Sequence, residues 1–253
     1  MADLALSKTL INEYINYKFN QSYDPNKIRK LFKYIQSFAI RTTHSDFFSD
    51  PATAGQFTDP LVEIIDDCTD NDLVQNSRLK FMLIDTIITV PFITTNINPI
   101  HHERLEPKFC ATYTNSQFKN NALKHIKALL SDANWVKITD RYINTNNEWS
   151  INKTLISNLV PHNVLNLNIV SGSQTNSGGR QVVHELKLSA AQQQELENIC
   201  TNWNVTAEQL NTDSIHDRYI ETNKVKILLS SGLYHLDVSS NKDFTYIIEL
   251  KPL

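Results

Sequence analysis

The spacing of apolar residues changes character about halfway along the chain, near residue 135. Before this point apolar residues recur at intervals of three and four, which is the period of an amphipathic helix. Beyond it, short runs rich in β-branched and aromatic residues alternate with turn-forming residues, as is typical of β-strands. The pattern predicts a mixed α/β (α+β) protein in which a helical N-terminal region precedes an α/β module.

Helical spacing in the first half is clearest after Asp24 and Pro25, which provide an N-cap and a proline at the first helical position. The apolar stripe that follows extends to Ala39. Further helices are predicted around 6–19, around 73–90 and from about 116 to 130. The segment 44–60 contains prolines and a glycine, so it is predicted to be a loop.

In the second half, strand-like runs occupy 135–143, 163–170, 225–231 and 244–250, and one helix covers 190–203. A polar loop ends in Gly178, Gly179 and Arg180. A hairpin loop is favoured there over a phosphate-binding loop, because the Gly-Lys-Ser/Thr ending of a P-loop is absent. The change of pattern places a boundary at about residues 115–133 and predicts two domains, 1–120 and 121–253.

Composition narrows the function classes without selecting one. The 253 residues are 41% hydrophobic and carry a net charge of −3, so a strongly basic nucleic-acid footprint is absent from the chain as a whole. The three cysteines lie far apart, which argues against a disulfide framework or a cysteine-based zinc site. No apolar stretch is long enough for a transmembrane segment or resembles a signal peptide, so we expect a cytoplasmic protein.

The segment from His216 to Gly232 is the most informative part of the chain. Arg218 follows the histidine by two residues, Asn223 comes five residues later, and an apolar run then leads into Ser230, Ser231 and Gly232. This arrangement resembles the phospholipase D superfamily signature: histidine, any residue, lysine, four residues, aspartate, and then a strand that ends in a Gly/Ser turn.

The resemblance extends upstream to the apolar strand that ends in Asp140, Arg141 and Tyr142, since such modules begin with a strand of this kind. It covers about residues 122–253. Its His-Asp-Arg form is similar to the phospholipase D-like domain attached to microtubule-interacting-and-trafficking (MIT) domains. No family resemblance is evident for the N-terminal half.

The resemblance implies a catalytic set of His216, Arg218 and Asn223, with Asp140, Arg141, Ser230, Ser231 and Gly232 as ligand-binding residues. A neutral imidazole can attack phosphorus, and a cation on the same face of a strand can offset the phosphate charge. The chemistry requires no metal, and no cofactor is predicted.

Two replacements and one missing group separate the chain from the full signature. Arg218 replaces the lysine and Asn223 replaces the aspartate. The upstream copy of the sequence Asp-Arg-Tyr-Ile is preceded by Thr139 where a second histidine would stand. A two-histidine site would therefore need a symmetric homodimer.

These departures favour a non-catalytic or weakly catalytic assembly module that binds phosphate or nucleic acid, with a protein partner docked on the helical half. The composition is that of an AT-rich genome, which favours an accessory subunit of a bacterial anti-phage or mobile-element system. One alternative is a dimeric, metal-independent phosphodiesterase or nuclease that uses His216. Another is a protein that binds anionic lipid.

Two other motifs have simpler interpretations. Glu249 and Lys251 at the end of the last predicted strand could belong to a metal-dependent nuclease, but an amphipathic strand is favoured. His101 and His102 lack the spacing of a metal-binding helix, so a loop is favoured there.

Overall fold

The computed structural model describes residues 3–35, 40–43, 62–65, 68–98, 103–105, 108–113, 116–145, 148–175, 183–185, 187–210 and 217–252. The chain divides into two compact units, Met1–Cys110 and Ala111–Leu253. The predicted division at 120/121 falls inside a helix of the second unit. That each part is an independent domain stays a prediction.

The described part of the N-terminal unit combines helices with a five-stranded parallel sheet. The helices are α1 (Lys8–Lys18), α2 (Pro25–Ile35) and α3 (Asp70–Gln75), and the strands are β1 (Leu4–Leu6), β2 (Ile40–Thr43), β3 (Val62–Ile65), β4 (Phe81–Ile84) and β5 (Ile93–Asn96). The strand order is β3-β2-β1-β4-β5, and every pairing is parallel. Strands β6 (Glu103–Leu105) and β7 (Lys108–Tyr113) follow.

The C-terminal unit is built on a sheet with the order β10-β9-β8-β12-β13-β14, with β11 paired to β9. Its strands are β8 (Trp135–Thr139), β9 (Asn166–Thr175), β10 (Val183–Glu185), β11 (Asn204–Leu210), β12 (Arg218–Thr222), β13 (Val225–Leu229) and β14 (Phe244–Leu250). Its helices are α4 (Ser116–Leu130), α5 (Trp149–Leu159) and α6 (Ala190–Ile199), and a 3-10 turn covers Leu233–Leu236. Alternating burial along β13 and β14 packs one face of the sheet into the core.

The predicted mixed α/β fold is confirmed, and so are the helices near 6–19 and 116–130, the described part (25–35) of the helix predicted over 25–39, and the four strands of the second half. Seven of the described strands, β1–β7, lie within residues 1–120, which the description of this region as mainly helical did not anticipate. The loop predicted at 44–60, the pair His101 and His102, and the glycines of 178–179 lie outside the described residues.

The predicted helix over 73–90 is wrong. The short helix α3 ends at Gln75, and β4 begins at Phe81. All four residues of β4 are buried. A strand buried on both faces of a parallel sheet is a continuous apolar run, which periodicity cannot distinguish from a buried helix.

Helix α5 was missed, since the sequence predicted a single helix in the second half. Its buried residues are Asn152, Leu155, Ile156 and Leu159, which follow helical spacing. The polar Asn152 interrupts the apolar stripe, and its side chain is accommodated by a hydrogen bond to the carbonyl of Ile143 at 2.9 Å.

In the N-terminal unit, Asp85 links the carboxyl end of β4 to two helices. Its side chain is 6% exposed and accepts hydrogen bonds from Thr9 Oγ1 at 2.6 Å and from Lys27 Nζ at 2.8 Å. Burial raises the pKa of this carboxyl, but the bonds from Lys27 and Thr9 outweigh it, so the pKa lies below the usual value. The stabilisation from the ionised form is therefore complete above the usual aspartate pKa of 3.8 and is lost as the pH falls through the lowered value.

We predict that Asp85→Asn lowers the free energy of unfolding at pH 7 by about 1–3 kcal/mol, because it removes a charge-assisted hydrogen bond. Urea unfolding of wild type and variant at pH 7 and at pH 3 measures the effect. The difference in unfolding free energy between wild type and variant should be smaller at pH 3 than at pH 7. Asp132→Asn is the control, because that aspartate is 43% exposed and lies 3.6 Å from Lys224, and it should change stability by less than about 1 kcal/mol. A difference that is the same at both pH values would contradict the prediction.

Candidate functional site

The strand order brings one end of β8 next to one end of β12 and one end of β13. Strand β12 is antiparallel to β8 and pairs Tyr219 with Thr139, and it is antiparallel to β13 and pairs Arg218 with Leu229. Asp140 directly follows β8, and Ser230 directly follows β13. The register therefore places Asp140, Arg218 and the Ser230–Gly232 turn at the same edge of the sheet. We call the group Asp140, Arg218, Gly232, Leu233 and His235 the strand-end cluster.

Asp140 is the organising residue of the strand-end cluster. It is 2% exposed. Its Oδ1 accepts the backbone N–H of Tyr142 at 3.0 Å, and its Oδ2 accepts the backbone N–H of Leu233 at 2.7 Å. Arg218 Nε lies 3.5 Å from Oδ1. One buried carboxylate thus holds the loop after β8, the 3-10 turn after β13 and the first side chain of β12.

Burial raises the pKa of Asp140, because a carboxylate loses hydration away from water. The two backbone N–H donors and the Arg218 guanidinium act in the opposite direction but do not cancel the effect of burial, so the pKa of Asp140 stays above its usual value. The Arg218–Asp140 separation is longer than a typical charge-assisted hydrogen bond. The arginine is therefore positioned by the carboxylate without being enclosed by it, and its side chain keeps 24% exposure.

Position 232 favours glycine because the Asp140 carboxylate occupies the space where a Cβ atom would lie. A Cβ atom on Gly232 would lie 3.0 Å from Asp140 Oδ2. The residue has φ −57°, so the requirement for glycine comes from this close approach and not from the backbone conformation. The Gly/Ser turn was predicted to contact a ligand, and in the structure its glycine also makes room for Asp140.

Two guanidinium groups lie near one aromatic ring beside Asp140. Arg141 Cζ is 5.5 Å from the ring centroid of Tyr142, and Arg218 Cζ is 5.7 Å from the same centroid. Both distances are within the range of cation–π contact. The stem of Arg141 also packs against Gly172, where an added Cβ would lie 2.6 Å from Arg141 Cγ. Arg141 and Arg218, which the sequence predicted as cations of one site, are therefore brought together.

Asn223 is not brought to this edge. It follows the last residue of β12, and its side chain accepts the backbone N–H of Asn134 at 3.1 Å. Five residue steps separate it from Arg218, which is about 16 Å along an extended strand. The geometry gives Asn223 a role in joining the opposite edge of the sheet, and it does not place this residue with Arg218 as the predicted catalytic set requires.

The remaining residues of the signature differ in their exposure and in their contacts. Ser230 is exposed and bonds to the backbone of Thr245, with its Oγ accepting the Thr245 N–H at 2.9 Å. Ser231 is half-buried. His216 lies outside the described residues, so its part in the site stays a prediction. The neighbouring Asp217 is exposed, and the carboxylate that pairs with Arg218 is that of Asp140.

His235 was not singled out by the sequence, although it belongs to the strand-end cluster. It lies in the 3-10 turn that Asp140 holds through Leu233, and its Nδ1 is 3.0 Å from Ser240 Oγ. Burial lowers its pKa, and the positive charges of Lys242, Lys119 and Arg218 lower it further. Only the folded turn brings this histidine within the electrostatic influence of Arg218, because the signature contains no position for it.

The alternative motif at the C-terminal end of β14 has a structural explanation. Lys251 forms an ion pair with Glu221 at 2.8 Å and lies 4.9 Å from the ring centroid of Trp135. Within the described residues, no group of three or more His, Cys, Asp or Glu side chains has an arrangement that could hold a metal ion. None of the described helices is both long enough and apolar enough to span a bilayer.

Comparison with known proteins yields only distant structural similarity. No family model and no curated protein matches the chain. Among solved structures, NucT from Helicobacter pylori is 13% identical, with 56% of this chain and 84% of NucT covered and a TM-score of 0.31. Yeast tyrosyl-DNA phosphodiesterase is 12% identical, with 55% of this chain and 32% of the yeast protein covered and a TM-score of 0.30. At these scores the similarity carries no argument about function.

We predict that Asp140→Ala lowers the free energy of unfolding by about 2–4 kcal/mol, because two backbone N–H groups lose their acceptor and Arg218 loses its counter-charge. Urea unfolding measures the change. Asp132→Ala, at an exposed position, should cost less than about 1 kcal/mol. If the two variants were equally stable, Asp140 would not be the organising residue of this edge.

Proposed function

We propose that the C-terminal unit is a phospholipase D-like module that binds a phosphate group of nucleic acid at the strand-end cluster, with little or no turnover. The observation that carries this proposal is the position of Arg218. Asp140 holds it beside a second arginine while its side chain remains accessible. The match of residues 216–232 to the phospholipase D signature supports the same assignment.

The charge balance of the cluster favours an anion. Arg141 and Arg218 both approach Tyr142, and the described carboxylate that faces Arg218 is buried Asp140. Asp140 also accepts two backbone N–H bonds, so part of its charge is already offset. A phosphate that accepted hydrogen bonds from the Arg218 guanidinium would reduce the repulsion between the two cations and form charge-assisted bonds.

The departures from the signature favour binding over catalysis. A lysine ammonium can rotate its donors, whereas the arginine that replaces it presents donors in a fixed plane that suits a bound phosphate. Asn223, in the aspartate position of the signature, lies at the other edge of the sheet. An orienting acid for a nucleophilic histidine would therefore have to come from another residue.

The second candidate function is a metal-independent phosphodiesterase or nuclease. It is favoured by one specific observation, which is that His216 stands two residues before the accessible cation Arg218 in the chain. The signature has a single histidine at this position, so a homodimer would supply the second one. Turnover would require His216 to act as the nucleophile that forms a phospho-histidine.

Two further proposals concern the rest of the molecule. We propose that the N-terminal unit docks a protein partner and that the protein serves as an accessory subunit of a bacterial anti-phage or mobile-element system. The composition of the chain and its division into two units support these two proposals. Anionic-lipid binding is the remaining alternative, and it would appear as salt-sensitive sedimentation with phosphatidylglycerol vesicles.

We predict that Arg218→Ala weakens binding of a fluorescein-labelled single-stranded or double-stranded oligonucleotide about tenfold at low salt. One lost charge-assisted contact of about 1.4 kcal/mol corresponds to this factor. Fluorescence anisotropy measures the affinity, and the slope of log K against log salt concentration should fall by about one in the variant.

Arg78→Ala is the matched control for this experiment. Arg78 is also a partly buried arginine that pairs with an aspartate, Asp3 at 3.0 Å, but it belongs to the N-terminal unit. Its replacement should leave oligonucleotide affinity within about twofold of wild type. Equal affinity of wild type and Arg218→Ala would reject the proposed site.

We predict that the same oligonucleotides remain intact after prolonged incubation with the protein in EDTA, because the catalytic set is incomplete. Denaturing gel electrophoresis detects any cleavage. Cleavage that is abolished by His216→Ala would reject the binding-only proposal in favour of the phosphodiesterase. Cleavage that persists in His216→Ala would point to a contaminating nuclease, and the preparation would be purified until this activity is absent.

A further inference from the structure

The 3-10 turn Leu233–Leu236 is held in place at its start and through the side chain of His235. At its start, the backbone N–H of Leu233 donates to Asp140 Oδ2 at 2.7 Å. Within it, the backbone N–H of His235 donates to the carbonyl of Gly232 at 2.9 Å. The imidazole Nδ1 lies 3.0 Å from Ser240 Oγ. Because Asp140 also positions Arg218, the ring of His235 and the guanidinium of Arg218 are fixed relative to one buried carboxylate.

Lys119 lies behind this turn. It is fully buried on α4, and its Nζ donates to the backbone carbonyl of Ser240 at 2.6 Å. Ser240 is thus bonded to His235 through its hydroxyl and to Lys119 through its carbonyl. Burial lowers the pKa of Lys119 below its usual value, and the charges of Asp237 and Asp243 offset only part of this effect. Burying a charged lysine costs free energy because the ammonium group loses its hydration, so nearby negative charge is needed to compensate for it.

Positive charge dominates around the imidazole of His235. Lys119, Lys242 and Arg218 all disfavour its protonation, and burial acts in the same direction. Asp140 bonds to two backbone N–H groups near the turn. Asp237 accepts the hydroxyl and the backbone N–H of Ser239.

The helices packed against the turn bring ionisable groups that are already bonded elsewhere. On α5, Lys153 forms an ion pair with Glu195 at 2.7 Å. On α4, the imidazole of His125 lies 2.7 Å from the hydroxyl of Tyr246. The electrostatic environment of His235 is therefore set mainly by Lys119, Lys242 and Arg218.

We propose that His235 is a second phosphate contact of the strand-end cluster, so that one phosphodiester group is held between its imidazole and the guanidinium of Arg218. Lys119 and Lys242 contribute positive charge around this site. The inference rests on the proposed function and adds to it a residue that the phospholipase D signature does not contain.

A bound anion would couple ligand binding to proton uptake. Negative charge beside the imidazole favours its protonated form, which gains an N–H donor directed at the phosphate. The pKa of His235 lies below its usual value of 6.5 in the free protein and should rise on binding. By linkage, affinity should increase as the pH falls from 8 to 5.5, and each unit of pKa rise corresponds to a tenfold gain in affinity.

The test is a histidine titration of the 253-residue chain by NMR, with side-chain signals assigned through His235→Gln. Thymidine dinucleotide and glycerophosphoglycerol serve as two phosphodiester probes whose charge does not change between pH 5 and 8. Saturation with a probe should raise the His235 pKa by about half a unit or more, a threefold effect on affinity. The signals of His125 and His162 are internal controls and should not shift.

The probe that half-saturates the shift at the lower concentration identifies the source of the phosphodiester as nucleic acid or lipid headgroup. As a second readout, His235→Gln should remove most of the pH dependence of oligonucleotide affinity, leaving a change of less than about twofold between pH 5.5 and 8. A His235 pKa that is unchanged at saturation with both probes overturns the inference.

The outcomes separate this inference from the proposed function. Oligonucleotide binding that depends on Arg218, together with an unchanged His235 pKa, overturns the role of His235 and leaves the proposed function intact. Absence of binding by every phosphodiester and oligonucleotide overturns both. A probe-induced shift of His235 that persists in Arg218→Ala shows a phosphate site of which Arg218 is not a part, and it overturns the shared contact.

Discussion

The structure of the candidate site depends on one buried carboxyl group, that of Asp140. Asp140 is nearly inaccessible, and an uncompensated carboxylate in such a position would cost several kcal/mol. Two backbone N–H groups and the Arg218 guanidinium supply the compensation. Each of these groups comes from a different segment of the chain, so the requirement to compensate one carboxylate determines how the loop after β8, the strand β12 and the turn after β13 meet.

This arrangement joins the stability of the sheet edge to the proposed function. The same carboxylate that closes the edge of the sheet also holds Arg218 beside Arg141 and fixes the turn that carries His235. Its charge is shared among several donors, whereas the surrounding side chains of Arg141, Lys119 and Lys242 add positive charge. The edge is therefore an electrostatic environment suited to an anion, and Asp140 acts in it as a positioning residue.

In the N-terminal unit, polar groups bond to one another at the point where the strand order of the sheet reverses. The strand order of its parallel sheet reverses between β1 and β4, and crevices at such reversals are where open α/β sheets commonly bind ligands. In this protein the carboxyl end of β4 is occupied by Asp85, which bonds to Thr9 and Lys27. The polar groups at this reversal bond to one another and tie the two helices to the sheet.

Sequence alone determined the elements that have clear periodicity and capping, such as α2 after Asp24–Pro25 and the alternating strands β13 and β14. It also predicted Asp140, Arg141, Arg218 and Gly232 as residues of one site, because the segments that contain them resemble a known family. It could not separate the buried strand Phe81–Ile84 from a helix, since a continuous apolar run fits both. Tertiary structure decided that Asn223 lies at the opposite edge from Arg218 and that His235 and Lys119 both bond to Ser240 beside the turn held by Asp140. These relations depend on strand register and on contacts between segments that lie 89 to 121 residues apart in the chain, and no local pattern encodes them.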